Sequence, residues 1–214
     1  MPGAARREKL DWLLEQGRII PVITIERIED AVPLARALVA GGLRLLEITL
    51  RTKAAAEAAR AIARSVPEAV VGVGTVVSPG DLALARELGA QFALSPGATP
   101  GLLEAAAAGD LPFIPGVATA SETMAAFARG FDVLKFFPAV PAGGIPTLRA
   151  LAGPFPRARF CPTGGIGVDN AAEWLAEPNV VAVGGSWLTP AADIKAGNWA
   201  AITERARAAL ARIG

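Results

Sequence analysis

The chain of 214 residues contains no histidine and one cysteine, Cys161. Without histidine, the commonest metal ligand and the commonest general base near neutral pH are both missing, so acid–base work falls to carboxylates, lysine or water. A single cysteine excludes an internal disulfide. No metal and no cofactor are expected. No stretch reaches about 18 unbroken apolar residues, which excludes an obvious membrane span. Residues 1–17 mix polar and apolar side chains without the apolar segment of a signal peptide, so a cytoplasmic location is the simplest expectation. One-sign charge runs are also absent: Lys plus Arg total 21 against 20 Asp plus Glu, and Arg6-Arg7 is the one basic pair near a terminus. Neither a nucleic-acid partner nor a membrane partner is expected from that balance, and any bound anion must be met by a local site.

What the chain does have is apolar mass. At 52% hydrophobic residues, its length suits one α/β domain over residues 1–214 better than two small ones, with an N-terminal helix at about 5–16. Apolar, β-branched runs near Ile19–Ile25, Leu43–Leu50, Val70–Val76, Phe92–Ser95, Phe113–Val117, Val133–Phe137, Ala158–Pro162 and Val180–Gly184 alternate with helix-like segments. These make eight βα units, too apolar for sheets wetted on one face. A single (β/α)8 TIM barrel is the leading architecture and an open doubly wound sheet the second. Ser78-Pro79, Thr99-Pro100 and Ser121-Glu122 carry helix-start signals, while Gly41-Gly42, Gly89 and Gly109 are helix stops.

Lys135 is the anomalous residue. It sits inside Val133-Leu134-Lys135-Phe136-Phe137-Pro138, whereas Lys9, Lys53 and Lys195 fall where a long side chain reaches water. An amine attacks a carbonyl only after losing its proton, from a reference pKa of about 10.4, and an apolar strand can supply the desolvation that favours the neutral form. The segment alone leaves a second reading open, a strand-end lysine whose stem packs and whose head snorkels.

In a parallel barrel, reactive groups gather at the carboxyl ends of the strands. Period-two alternation puts Leu45, Glu47, Thr49 and Arg51 on one face of strand two, Val133, Lys135 and Phe137 together on strand six, and Val71, Val73 and Thr75 together on strand three. Glu47, Arg51, Thr75 and Lys135 can then converge. Glu47 and Arg51 either neutralise one another as an ion pair, or act separately, the carboxylate moving protons and the guanidinium gripping a substrate carboxylate. Thr75 alone is more readily read as satisfying a backbone group. Thr163-Gly164-Gly165 and Gly184-Gly185-Ser186, on consecutive strand ends, read as a phosphate site, since glycine lets backbone N–H groups approach an anion. Gly97 and Pro115-Gly116 read as turn residues. Cys161 reads as a small packed side chain, and Trp12, Trp174, Trp187 and Trp199 as packing residues at helix faces.

Six ordered motifs carry a resemblance. Glu47-Ile48-Thr49-Leu50-Arg51-Thr52, Gly72-Val73-Gly74-Thr75-Val76, Ser95-Pro96-Gly97, Lys135-Phe136-Phe137-Pro138, Cys161-Pro162-Thr163-Gly164-Gly165-Ile166 and Gly184-Gly185-Ser186-Trp187 closely resemble the 2-keto-3-deoxy-6-phosphogluconate (KDPG) aldolase family, also described as 4-hydroxy-2-oxoglutarate (KHG) aldolases. The resemblance implies a metal-independent class I aldolase on a TIM barrel, giving pyruvate and glyceraldehyde 3-phosphate from KDPG. It implies an imine on Lys135 and a proton shuttle at Glu47. It places Arg51 and Thr75 at the substrate carboxylate, Pro96 and Phe137 along the apolar wall, and Thr163, Gly164, Gly165, Gly184, Gly185 and Ser186 around the phosphate. A homotrimer is implied as well. Alternatives are KHG or a 6-phosphogalactonate-type acid as main substrate, or a barrel that binds phosphosugars without catalysis.

Overall fold

The computed structural model describes residues 2–213. Nine parallel strand segments alternate with ten helices among those residues. The strands are β1 (Ile19–Ile23), β2 (Leu45–Thr49), β3 (Val70–Gly74), β4 (Phe92–Leu94), β5 (Phe113–Ile114), β6 (Gly116–Val117), β7 (Val133–Phe136), β8 (Arg159–Phe160) and β9 (Val183–Gly185). The helices are α1 (Pro2–Glu15), α2 (Ile28–Ala40), α3 (Ala55–Ser65), α4 (Pro79–Glu87), α5 (Pro100–Ala108), α6 (Ala120–Phe127), α7 (Gly144–Ala152), α8 (Ala171–Leu175), α9 (Ala191–Lys195) and α10 (Trp199–Ala211). None of them is long and apolar enough to cross a membrane.

Six strands form one sheet in the order β5-β4-β3-β2-β1-β9, and three form another, β6-β7-β8. The expected strand Phe113–Val117 is therefore two pieces, divided at Pro115 between the two sheets. Proline has no N–H to give a ladder; its carbonyl still accepts from Lys135 N at 2.8 Å. Between β8 and β9 there are single parallel bridges, Phe160 to Val180 and Thr163 to Gly184, in place of a continuous ladder. The result is a curled parallel sheet with helices outside it.

Two apolar clusters show which way each strand residue faces. The outer one, between sheet and helices, contains Leu46, Ile48, Val71, Val73, Leu134, Phe136 and Phe160. The inner one contains Ile20, Leu45, Val70, Phe92, Leu94, Ile114, Val133 and Cys161, closed by Leu10 and Leu13 of α1. So α1 lies across the amino ends of the strands, starting at Pro2 rather than near residue 5 as expected. Polar ties hold it there: Arg7 to Asp132 at 2.6 Å, Lys9 to Asp110 at 2.8 Å and Arg159 to Asp11 at 3.2 Å. Each exposed pair is worth little alone; the buried Leu10 and Leu13 supply most of the docking energy.

The facing of β3 corrects the sequence reading. Val71 and Val73 point outward, so the inward positions are Val70, Gly72 and Gly74. The helix starts at Ser78 and Thr99 carry side-chain caps. The start assigned to Ser121 belongs instead to Thr119, which forms a capping box with Glu122, leaving Ser121 in the first turn. Among the tryptophans, Trp174 is buried, but Trp12 is 45% exposed and Trp187 lies in the turn after β9 rather than on a helix.

Candidate active site

Lys135 faces the interior because its neighbours Leu134 and Phe136 take the outer cluster. Its ammonium donates to Glu47 Oε1 at 2.9 Å, and the two side chains are only 4% and 1% exposed. Strands β2 and β7 are hydrogen-bonded neighbours in neither sheet, so this contact crosses the interior. A lysine that merely snorkels would present its head to water; this one does not. The Phe137 ring centroid lies 5.5 Å from Nζ.

Glu47 is thus paired with Lys135, and the Glu47–Arg51 ion pair weighed from sequence does not form. Arg51 sits past the end of β2, exposed, and its Nε donates to Thr75 Oγ1 at 3.3 Å. Thr75 reaches it by an unexpected route: it does not share a face with Val71 and Val73 as alternation suggested. It has φ of 62°, the one positive value at a non-glycine residue among those described, and this left-handed step turns the chain off the strand's alternation.

Pro96 is half-buried and follows Ser95, whose Oγ accepts from Gly116 N at 3.1 Å. Gly116 is the register partner of Lys135, and a β-carbon on it would overlap the Pro96 backbone. Pro96 thus packs on the Gly116 backbone of the strand beside the lysine, and Phe137 follows two residues after the lysine, just past the end of its strand. The strand ends carrying Thr163 and Gly184 meet at a parallel bridge. Beyond it, Gly164 and Gly165 take φ of 103° and 80°, values that disfavour a side chain, and Asn170 clamps the loop through Gly165 O at 3.1 Å and Gly167 N at 2.8 Å. The N–H groups of Gly164, Gly165 and Ser186 donate to no acceptor among the described residues. Gly185 accommodates the Trp187 ring where a β-carbon would collide.

Sequence reasoning missed two supports. Thr49 Oγ1 donates to Ile23 O at 2.9 Å and lies 3.2 Å from Thr24 Oγ1, tying the end of β2 to β1. Gly74 has no side chain where Glu47 sits. A buried threonine at a strand end was a visible signal for the first; the second had none. Cys161 lies in the inner cluster, where burial pushes its thiol up to about 12, with the Lys135 charge opposing and the Glu47 charge adding to the shift. It is no nucleophile at neutral pH.

The KDPG and KHG aldolase model matches residues 10–205, a span containing all nine strand segments. The chain belongs to the KDPG and KHG aldolase family. Membership makes it an aldolase, a carbon–carbon lyase. It is similar to the KHG/KDPG aldolase of Escherichia coli K12, with 52% identity over 198 residues, covering 92% of this chain and 93% of the relative. The KDPG aldolase of Legionella pneumophila, solved with pyruvate captured at low pH as a covalent carbinolamine intermediate, superposes with a TM-score of 0.89 at 47% identity, covering 97% of each chain. The Zymomonas mobilis ZM4 KDPG aldolase solved with 3-phosphoglycerate gives 0.87 at 45% identity, covering 93% of each chain.

Proposed function

We propose that this aldolase cleaves KDPG to pyruvate and glyceraldehyde 3-phosphate through an imine on Lys135. The observation that carries the reading is the buried 2.9 Å contact between Lys135 Nζ and Glu47 Oε1. Neutral Nζ adds to the C2 ketone to give a carbinolamine, and loss of water leaves a protonated imine. Glu47 accepts the C4 hydroxyl proton as the C3–C4 bond breaks; the bonding pair flows into the imine, the aldehyde leaves, and an enamine remains. Protonation at C3 by Glu47 and hydrolysis then release pyruvate and restore the amine. The protonated imine is the electron sink, a role that needs no metal.

Arg51 and Thr75 hold the substrate carboxylate in this reading, and Pro96 and Phe137 line the path between. Thr163, Gly164, Gly165, Gly184, Gly185 and Ser186 receive the phosphate, supported by the undonated N–H groups there. Binding the remote phosphate fixes the C3–C4 bond over Glu47, so a substrate without phosphate loses turnover as well as affinity. The reading includes a complete (β/α)8 barrel in one domain, closed through Pro115 on one side and the Thr163–Gly184 bridge on the other, a homotrimeric assembly and a cytoplasmic location. The test is intact-mass spectrometry after pyruvate and borohydride, with peptide mapping. One reduced pyruvyl adduct on Lys135, lost in Lys135→Arg, is the expected result. A folded protein with no adduct would sink the proposal.

A further inference from the structure

Strand β3 places glycine at two successive inward positions, Gly72 and Gly74, in an otherwise valine-rich run. Glycine inside a strand costs stability because it has more conformational freedom to lose and no side chain to pack. Backbone conformation does not require it at either site: neither residue adopts a positive φ. Space does. At Gly72 a β-carbon would overlap the Phe92 ring, a packing role. At Gly74 it would overlap Glu47 itself, colliding with Oε1 and lying 2.6 Å from Cγ and 2.7 Å from Cδ.

We infer that Gly74 is a positioning residue for the Glu47 carboxylate. This rests on the role proposed for Glu47. The carboxylate is held between Lys135 Nζ on one side and the bare Gly74 backbone on the other, at 1% exposure. A methyl group at position 74 turns the carboxylate away from Nζ, out of reach of the protons it has to move. The lysine is borne by β7 in the other sheet and is not among the nearest atoms the methyl would meet.

The test is a double-mutant cycle of Gly74→Ala with Glu47→Ala, reading kcat, KM, borohydride trapping of pyruvate and thermal melting. Gly74→Ala should lower kcat by about 10²-fold, the scale of a lost proton-transfer group, with KM little changed and the Lys135 adduct still trapped. In the Glu47→Ala background, which has none of the atoms the methyl would meet, the added methyl should change the residual kcat by only about twofold. Equal losses in both backgrounds, or an unchanged kcat in Gly74→Ala, would overturn the inference. If Gly74→Ala fails to fold, recovery of folding in the double variant supports the same steric coupling, and failure of both variants counts against it. Should Glu47→Gln leave kcat intact, the proton-transfer role falls, and the coupling between positions 47 and 74 would then appear in Tm alone.

Discussion

At the scale of single residues, Glu47 carries the sharpest expectation. Glu47→Gln preserves shape but cannot accept a proton, so it should still yield the trapped pyruvyl adduct while kcat falls by about 10² to 10⁴-fold. An unchanged turnover number would remove Glu47 from the mechanism. Residue types made much of this site legible: a lysine in an apolar strand and a carboxylate on an alternating one are conspicuous. Their convergence was expected from strand alternation; their direct ion pair was not, because Glu47 was weighed against Arg51 four residues on, whereas Lys135 lies 88 residues away on a strand that is not a neighbour. Glycine at 74 was silent for a deeper reason, since its role is defined by another residue's side chain. Cys161 gives a pH prediction. Burial raises its thiol from 9.0 to about 12, so the folded state keeps a proton that the unfolded chain loses first. That contribution is complete below the unfolded value and declines as pH rises toward the folded one. Urea melts of the wild type and Cys161→Ala should therefore converge above pH 9 by up to about 1.4 kcal/mol per pH unit. A gap that stays constant to about pH 10.5 would contradict the burial argument.

Among the elements, the strands were readable wherever β-branched residues alternate against a polar or large inward residue. Strands β2 and β7 show this pattern. On β3 the inward residues are glycines, so Val71 and Val73 take on the look of an inner face although they pack against helices. The fifth strand was read as continuous because its residues are apolar throughout, and only Pro115 marks the break. Helix starts were clearer where a cap precedes proline, as at Ser78 and Thr99. At Thr119 two hydroxyl residues compete, and the capping box with Glu122 decides in favour of the earlier one. Ser78 accepts from Asp81 N at 3.1 Å, while Asp81 accepts back from Ser78 N at 2.9 Å. Ser78→Ala should cost about 1 kcal/mol in chemical denaturation and leave KM and kcat alone. A loss near zero would mean that water replaces the hydroxyl.

Across the whole molecule, stability and chemistry occupy opposite ends of the curled sheet. The amino end is sealed by Leu10 and Leu13 against the inner cluster, while the Lys135–Glu47 pair and the glycine loops proposed for the chemistry belong to the carboxyl end. Leu13→Ala removes a fully buried side chain from that seal and should cost about 2–5 kcal/mol, with the yield of pyruvyl adduct per folded molecule unchanged. A parallel fall in adduct yield would show that the seal also sets the geometry of the site. The same division has an optical consequence. The chain has no tyrosine, so its near-ultraviolet emission comes from its four tryptophans. Trp12 on the seal is 45% exposed, whereas Trp174 is 2% exposed, its ring centroid 6.4 Å from that of Phe136, directly beside Lys135 in the chain. A water-borne quencher therefore dims the seal's fluorophore first, and the light that survives it comes mainly from tryptophans set deeper, Trp174 behind β7 among them.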